Sequence, residues 1–254
     1  MLNVMLSDLK RSRIVELAQT GNASFTAFRA NRTEYAGLLS PIMGFDDFRL
    51  SSDVFGPHQH RHMSALSYLF DDSAPYHNQD SMGTDLTITT GSLLWTWAGS
   101  GVTHHEYPET ANTKIHGLQL FLEIPAETRN LPPKSILIPA EQMPKKEVDG
   151  VKVKVVLGSA AGMVNETPTP ERITFLDMNI AAGKTFSHQL PAGWNGTIYL
   201  LSGSLHVEAS SEGFSMDGHE TVAIGLSAED TQIVLRAYTD CHLLFISGVP
   251  VVSA

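Results

Sequence analysis

Short apolar runs separated by polar turn residues recur along most of this 254-residue chain. Examples are SALSYLF (64–70), LQLFLEI (118–124), TIYLLSG (197–203) and HLLFISG (242–248), each of strand length. Gly, Pro, Asn and Asp fill the gaps, and the runs recur roughly every ten residues, which is typical of a β-sandwich or β-barrel. The pattern therefore predicts an all-β fold.

The first residues of the chain follow a different pattern. Residues 5–19 mix charged and apolar side chains, and Ser7 or Asp8 is a suitable helix cap. We expect a short helical segment or arm within an N-terminal extension, residues 1–22. The charges follow the apolar residues and no small-residue cleavage site is present, so this is not the pattern of a secretory signal.

Two of the apolar runs resemble each other and suggest an internal repeat. SALSYLFDDS (64–73) and NGTIYLLSGS (195–204) each read as a strand with a tyrosine followed by a hairpin turn, and their separation is close to half the chain. The Pro-rich stretch NLPPKSILIPAEQMP (130–144) lies between them. We expect two related barrels in tandem, residues 23–134 and residues 135–254.

Composition narrows the classes of function. Apolar residues make up 42% of the chain, enough for a sizeable core, and charged residues only 17%. The net charge of −10, with no Lys/Arg run, argues against nucleic acid held through its phosphates. The chain contains no apolar stretch of about 18 residues, so we expect no membrane span. The single cysteine, Cys241, cannot form an intrachain disulfide, so we expect it to be buried in a cytoplasmic protein.

Histidine is concentrated in the first half of the chain. Seven of the eleven histidines lie between residues 58 and 116, mostly in HQHRH (58–62) and THHEYPE (103–109). Side chains at i and i+2 leave the same face of a strand, so the imidazoles of the first group share one face. The second group places a histidine and a glutamate on one face in the same way.

Pairing of the two groups on neighbouring strands would bring four side chains together. His58 and His60 would converge with His104 and Glu106, while His105 would point the other way. Three imidazoles and one carboxylate suit one divalent transition metal, which is Fe, Mn, Ni, Co, Cu or Zn. Such a site has room for a chelating small molecule and for O₂, and Glu106 is then the candidate catalytic base. The alternative is an exposed strand on which HQH is only a polar face.

The order of motifs around both histidine groups resembles the pirin family. SPIMGFDDFRLSSDVFGPHQHRH (40–62) is similar to the family's Phe-Asp-acidic-Phe block followed by Pro-His-x-His-Arg. HNQDSMGTDLTITTGSLLWTWAGSGVTHHEYPE (77–109) is similar to its Gly-rich turns, tryptophan run and His-x-Glu segment, and IHGLQLFLEIPAE (115–127) to its His-Gly-Leu-Gln-Leu strand. AGKTFSHQLPAGWNGTIYLLSGSL (182–205) looks like the family's second barrel.

The resemblance implies a bicupin, two cupin barrels of the double-stranded β-helix or jelly-roll type, with one metal, usually iron, in the N-terminal barrel. At the repeat offset, His58 falls on Gln189 and His60 on Pro191, so we expect no metal site in the C-terminal barrel. Carried over residue by residue, the metal ligands are His58, His60, His104 and Glu106.

The resemblance leaves the activity open between several functions. The first expectation is a mononuclear non-haem dioxygenase of the quercetin 2,3-dioxygenase type, acting with O₂ on a flavonol or similar oxygen-chelating substrate. The alternative is a metal-dependent, redox-sensing regulator that binds a protein partner without turnover. Isomerisation or hydrolysis at Zn or Mn is a third, because cupin-like sites host several chemistries. Pirins end in a segment that packs back on the first barrel, and FISGVPVVSA (245–254) does not resemble it, so we expect either a more open cavity or one closed by a different element.

Overall fold

In the computed structural model, which describes residues 9–210 and 212–251, nearly all regular structure is β-strand. The chain forms two compact units. The first barrel contains Ala18–Asn31 and Ile42–Gln142, and the second barrel contains residues 9–17, Arg32–Pro41 and Met143–Pro250. No helix in the described ranges has the length and apolar character needed to cross a lipid bilayer.

The strands are numbered in chain order. The N-terminal segment forms β1 (Lys10–Arg11) and β2 (Val15–Glu16). The first barrel is built from β3 (Gln19–Gly21), β4 (Phe25–Asn31), β5 (Ile42–Leu50), β6 (His58–His60), β7 (Met63–Leu69), β8 (Tyr76–Asp80), β9 (Asp85–Ile88), β10 (Leu93–Trp97), β11 (Val102–Pro108), β12 (Ile115–Glu123) and β13 (Lys134–Ile138). The second barrel continues with β14 (Lys145–Val148), β15 (Val151–Leu157), β16 (Ser159–Ala160), β17 (Met163–Val164), β18 (Ile173–Ile180), β19 (Thr185–Leu190), β20 (Asn195–Ser202), β21 (Ser204–Ala209), β22 (Glu212–Asp217), β23 (Glu220–Gly225), β24 (Thr231–Ala237) and β25 (Cys241–Gly248). Single turns of 3₁₀ helix cover Arg32–Glu34 and Ala140–Gln142.

The first barrel consists of two antiparallel sheets. The larger runs β13-β10-β7-β12-β5-β4-β3 and the smaller β6-β11-β8-β9. Apolar side chains from both sheets meet in a core, and Phe48, Leu50, Ile88 and Ile115 belong to it. Positions further along the same inner faces remain available to line a cavity, because a strand presents every second side chain to the interior.

The second barrel repeats this arrangement. Its larger sheet runs β1-β23-β20-β25-β18-β15-β14 and its smaller sheet β19-β24-β21-β22, which matches the first barrel place by place. β7 and β20, which carry the repeated sequence, occupy the same position in their sheets. Apolar side chains such as Leu176, Leu200 and Phe245 fill the interior, and Cys241 is buried as expected. The predicted all-β fold with two barrels in tandem is confirmed.

The N-terminal segment is an extended arm, one of the two forms expected, and its described residues contain no helix. β1 and β2 both pair antiparallel with β23 of the second barrel. Ser12 N donates to Ala223 O at 2.8 Å, and Ser12 Oγ accepts from Ala223 N at 3.0 Å. The arm satisfies backbone groups along β23 that an edge strand would leave unpaired, and a short isolated helix gains less. Residues 1–8, where the predicted helix begins, lie outside the described ranges.

Candidate metal centre

Two strands of the smaller sheet in the first barrel bring three of the four predicted ligands, the histidines, together. β6 and β11 are antiparallel neighbours, and His58 lies opposite His104. Alternation along β11 turns His104 and Glu106 inward, where they are 2% and 4% exposed. His60 follows His58 at the second position along β6 and shares its face. His105 points to the other side of the sheet.

The three imidazoles form a close cluster. One ring nitrogen from each of His58, His60 and His104 lies within 4.8 Å of the others, and the ring centroids are 4.5 to 4.9 Å apart. Nε2 of His104 is 3.1 Å from Nε2 of His58. Two nitrogens bound ~2.1 Å from one ion at a right angle would be ~3.0 Å apart. The observed spacing therefore fits two ligands of a single metal.

Hydrogen bonds on the far side of two rings orient their lone pairs. Nδ1 of His58 lies 3.0 Å from Gly56 O, and Nδ1 of His104 lies 3.2 Å from Asn78 Oδ1. A carbonyl oxygen only accepts, so each Nδ1 carries its ring's proton with the Asn78 amide in this orientation. The two Nε2 lone pairs then face each other, and a shared cation would convert their repulsion into attraction.

Burial favours the neutral form of the clustered histidines. The pKa of His60 and the pKa of His104 are each lowered to about 4, first by burial and then by neighbouring imidazoles. Only the neutral ring has a lone pair for a metal. Near pH 7, protons therefore compete weakly with a metal at these two side chains.

Glu106 reaches the same interior but is engaged by side chains of the larger sheet. Its Oε1 lies 2.6 Å from Ser67 Oγ, which is 3.1 Å from Gln119 Oε1. Gln119 Nε2 donates to Leu66 O at 3.3 Å. Burial raises the pKa of Glu106 to about 7, although the bond with Ser67 acts in the opposite direction. The carboxyl group lies outside the close cluster of ring nitrogens.

The number of protons explains this row of side chains. A hydroxyl has one proton, so Ser67 cannot donate to both oxygens. Both contacts are satisfied when a protonated Glu106 donates to Ser67 Oγ and Ser67 donates to Gln119. The row therefore accommodates one proton at Glu106, in agreement with the raised pKa.

A cavity of about 550 Å³ extends from these side chains along the inner face of the larger sheet. Arg29 and Asp46 form a charged pair on its wall, with Nε–Oδ1 and Nη2–Oδ2 distances of 2.7 Å. A cavity of this volume holds a small organic molecule. Most of the wall is apolar or aromatic, formed by Phe25, Ala30, Met43, Phe45, Phe48, Phe55, Met63, Tyr76 and Phe121.

Strand pairing identifies the corresponding positions in the second barrel. β19 and β24 pair with His188 opposite Ile233, as His58 lies opposite His104 in the first barrel. Gln189 is exposed on β19 and His188 is half-buried, so the inward-facing counterpart of His58 is His188 and not Gln189. The earlier assignment is wrong by one residue because the repeat offset is not constant between strands.

The interior of the second barrel offers a different set of side chains. His188 lies near the rings of Phe186 and Phe245, with centroid distances of 6.5 and 5.0 Å. Burial lowers the pKa of His188. The residues at the other three corresponding positions are apolar. The imidazole of His188 therefore has no second ligand at these positions with which to bind a metal ion. In order, the counterparts of the four predicted ligands are His188, Leu190, Ile233 and Leu235.

Other histidines of the first barrel have partners elsewhere. His105 Nε2 lies 2.8 Å from Asp53 Oδ2. His62 Nε2 lies 3.0 Å from Asn130 Oδ1. His116 is buried between two aspartates, with distances of 2.6 and 3.2 Å. None of these three rings belongs to the close cluster found among the described residues.

Three polar residues of the site were not singled out from the sequence. Ser67 and Gln119 interrupt apolar runs, and Asn78 lies opposite Glu106 in the adjacent strand β8. A polar residue within an apolar run is a signal for a buried partner. The partner itself is set by strand pairing and cannot be read from the run.

Comparison with known proteins places both barrels in one family. The family model described as Pirin matches residues 23–122, and the model described as Pirin C-terminal cupin domain matches residues 175–253. A pirin-like protein of Arabidopsis thaliana is 31% identical over 216 residues, 84% of this chain and 78% of that protein. Pirin of Homo sapiens is 29% identical over 213 residues, 84% of this chain and 72% of that protein.

Solved structures share the fold. GK1651 from Geobacillus kaustophilus has a TM-score of 0.84 at 23% identity, covering 98% of this chain and 100% of that one. Quercetin 2,3-dioxygenase from Acinetobacter baumannii has a TM-score of 0.81 at 24% identity, covering 96% and 88%. Bacterial pirin YhhW from Escherichia coli, in complex with nickel(II), has a TM-score of 0.71 at 18% identity, covering 96% and 100%. The family models and the relative at 31% identity confirm the resemblance read from the motifs: the chain belongs to the pirin family of tandem cupin proteins.

Proposed function

We propose that the first barrel holds one divalent transition metal, with iron as the first candidate. The observation that carries this proposal is the convergence of three imidazoles, two of them with nitrogens 3.1 Å apart, at a cavity. Nitrogen and carboxylate donors suit Fe, Mn, Ni, Co, Cu and Zn, and availability in the cell selects among them. The proposed ligands are His58, His60, His104 and Glu106.

The proposed activity is that of a mononuclear non-haem dioxygenase acting on a flavonol or a similar small molecule with adjacent oxygens. A bound metal would supply Lewis-acid binding of those oxygens and redox chemistry with O₂. The aromatic and apolar wall supports this substrate class, because it can bury the face and edge of a flat ring system. The similar structure of a quercetin 2,3-dioxygenase motivates the choice of flavonol as the first substrate to test.

Glu106 is the proposed general base. Its carboxyl group lines the same cavity as His58 and His60, and a pKa of about 7 suits proton transfer near neutral pH. A nearby cation lowers that pKa and favours the carboxylate that must accept the proton. Once protonated, Glu106 donates to Ser67 Oγ while Ser67 donates to Gln119 Oε1, so the proton is held within the site.

The proposed partners and location follow from charge and cysteine use. A formal charge of −10 disfavours nucleic acid as a direct partner, so small molecules and proteins are the proposed partner classes. The single cysteine is buried and free, which fits the cytoplasm proposed as the location.

The test is flavonol decay under O₂ with Fe-, Mn-, Ni-, Co- and Cu-loaded protein. The decay is measured as the loss of flavonol absorbance. We expect turnover with at least one metal and a loss of about 100-fold or more in Glu106→Gln. Tyr107→Phe, on the outer face of the same strand, is the matched control and should retain activity.

Decay at the enzyme-free rate with all five metals would overturn the dioxygenase assignment. Capture of a stoichiometric protein partner whose binding depends on the iron oxidation state would then favour the regulatory function.

A further inference from the structure

The loop of residues 51–57, between β5 and β6, places an aromatic side chain at the cavity. Phe55 lines the cavity and yet is 49% exposed. Its ring packs edge to face against Phe25, with a centroid distance of 5.0 Å and an interplanar angle of 80°. The centroid of His58 is 6.4 Å away. A half-exposed aromatic ring in this position gains further burial when a flat molecule occupies the cavity.

Asp53 ties this loop to the outer face of the strand that carries His104. Its Oδ2 lies 2.8 Å from His105 Nε2, and its Oδ1 accepts from Gly56 N at 3.2 Å. Gly56 has a φ of +58°, in the left-handed region that favours glycine, and no heavy atom lies within 4 Å of where its Cβ would be. The two hydrogen bonds of Asp53 therefore fix the turn on both sides of Phe55.

His105 is itself held in a row of rings on the outer face of the smaller sheet. Its ring centroid lies 4.7 Å from that of Tyr107, which lies 5.0 Å from that of His77. His77 Nδ1 is 2.8 Å from Glu109 Oε2, and His77 Nε2 is 2.8 Å from Asp85 Oδ1. Within the row, His105 is the ring that contacts the loop.

Three consecutive residues of strand β11 therefore make contacts on both faces of the sheet. His104 and Glu106 face the cavity, and His105 between them faces the loop. Displacement of β11 would move the proposed ligands and the anchor of Phe55 together, because neighbouring residues of one strand share a backbone.

We propose that His105 is a positioning residue, which acts through Asp53 to hold Phe55 as a cap against a flat ligand in the cavity. The inference rests on the proposed function, because the ligand is the planar substrate assigned to this cavity. The cap retains the ligand, so loss of the tether raises the ligand's dissociation rate and leaves the metal content unchanged.

Two measurements test the tether. The first is chymotrypsin cleavage of the Phe55–Gly56 bond, quantified by mass spectrometry in the metal-loaded protein. The second is dissociation of quercetin from anaerobic, nickel-loaded protein, measured by stopped-flow absorbance. We expect His105→Ala and Asp53→Ala each to raise both rates about fivefold or more, the range expected for loss of one such hydrogen bond.

Matched variants distinguish the tether from general destabilisation. The double variant of His105 and Asp53 should behave like Asp53→Ala, because that substitution already removes the contact with His105 together with the bond from Gly56 N. His77→Ala removes a ring from the same row that does not contact the loop. This variant should be cleaved by chymotrypsin, and should release quercetin, at the wild-type rates. Phe55→Ala should release quercetin about as fast as His105→Ala.

Wild-type rates of cleavage and release in His105→Ala would overturn the proposal, as would equal acceleration in His77→Ala. Failure of quercetin to bind the nickel-loaded wild type would contradict the flavonol assignment, and the cleavage rates alone would then decide the tether.

Discussion

The buried carboxyl group of Glu106 makes a quantitative prediction about stability in the metal-free protein. Burial raises its pKa from 4.5 to about 7. The Glu106→Gln substitution keeps the shape of the neutral side chain and can still engage Ser67 and Gln119, but it removes the titration. The pH dependence of the stability difference between variant and wild type therefore isolates this one group.

The sign follows from proton binding in the two states. Between pH 4.5 and about 7, unfolding releases the proton of Glu106, because the unfolded carboxyl ionises while the native one stays neutral. The stabilisation from this group is present below pH 4.5 and is lost as the pH rises through 7. A pKa difference of about 2.5, at about 1.36 kcal/mol for each pKa unit, corresponds to about 3 kcal/mol.

The assay is urea unfolding of chelator-treated protein at several values between pH 4.5 and 8. Trp95 and Trp97 are buried in the first barrel, and Trp194 packs against the core of the second. In a Trp194→Phe background, fluorescence therefore reports the unfolding of the first barrel. We expect the free energy of unfolding of Glu106→Gln, relative to wild type, to rise by about 3 kcal/mol across this range, mostly between pH 5 and 7. Contributions of the histidines are common to both proteins and cancel in the difference.

Glu127→Gln provides the control, because it makes the same chemical change at an exposed position of the first barrel. Its difference from wild type is the baseline for the effect of replacing a carboxyl group by an amide. A flat difference for Glu106→Gln, within about 0.5 kcal/mol from pH 4.5 to 8, would refute the reasoning that burial keeps this carboxyl group neutral.

Other predictions concern the cluster and the arm. His104→Ala should reduce bound metal by at least about tenfold in elemental analysis, whereas His105→Ala should bind as much as the wild type. Because the native pKa of His60 is about 4, the metal-free protein should lose the stability contribution of this group as the pH falls from about 6.5 towards 4. His60→Asn should remove that part of the slope in the same urea series. Ser12→Ala should destabilise the second barrel by about 1–2 kcal/mol, because it leaves the N–H of Ala223 without its acceptor; an unchanged unfolding midpoint would contradict this.

Local rules were sufficient to place the proposed ligands in two pairs. A strand alternates its side chains whatever its neighbours are, so HQH and HHE could be sorted into inner and outer faces before any pairing was known. The spacing of apolar runs predicted the all-β fold for a similar reason, since the alternation of apolar and polar residues in a half-buried strand is visible within the strand's own sequence. The order of the motifs identified the family, which the comparisons confirm.

Register was not accessible to the same reasoning. The offset that relates the sequences of β7 and β20 is longer by one residue than the offset between β6 and β19, and a slip of one residue changes the face on which a side chain lies. Gln189 was therefore predicted where His188 stands. The choice between a helix and an arm at the N-terminus stayed open for a related reason, because the partner strand β23 lies near the other end of the chain and supplies hydrogen bonds that local propensity does not include.

The sequence by itself determined the strands, the inner-facing histidines and the family, because alternation and motif order are properties of neighbouring residues. Only the tertiary structure decided that Glu106 meets Ser67 and that His105 meets Asp53. Those contacts join residues 39 and 52 positions apart, and strand pairing and loop closure bring them together. The pKa of a buried carboxyl group depends on such distant neighbours, since desolvation and hydrogen bonding are set by whatever surrounds the group in space.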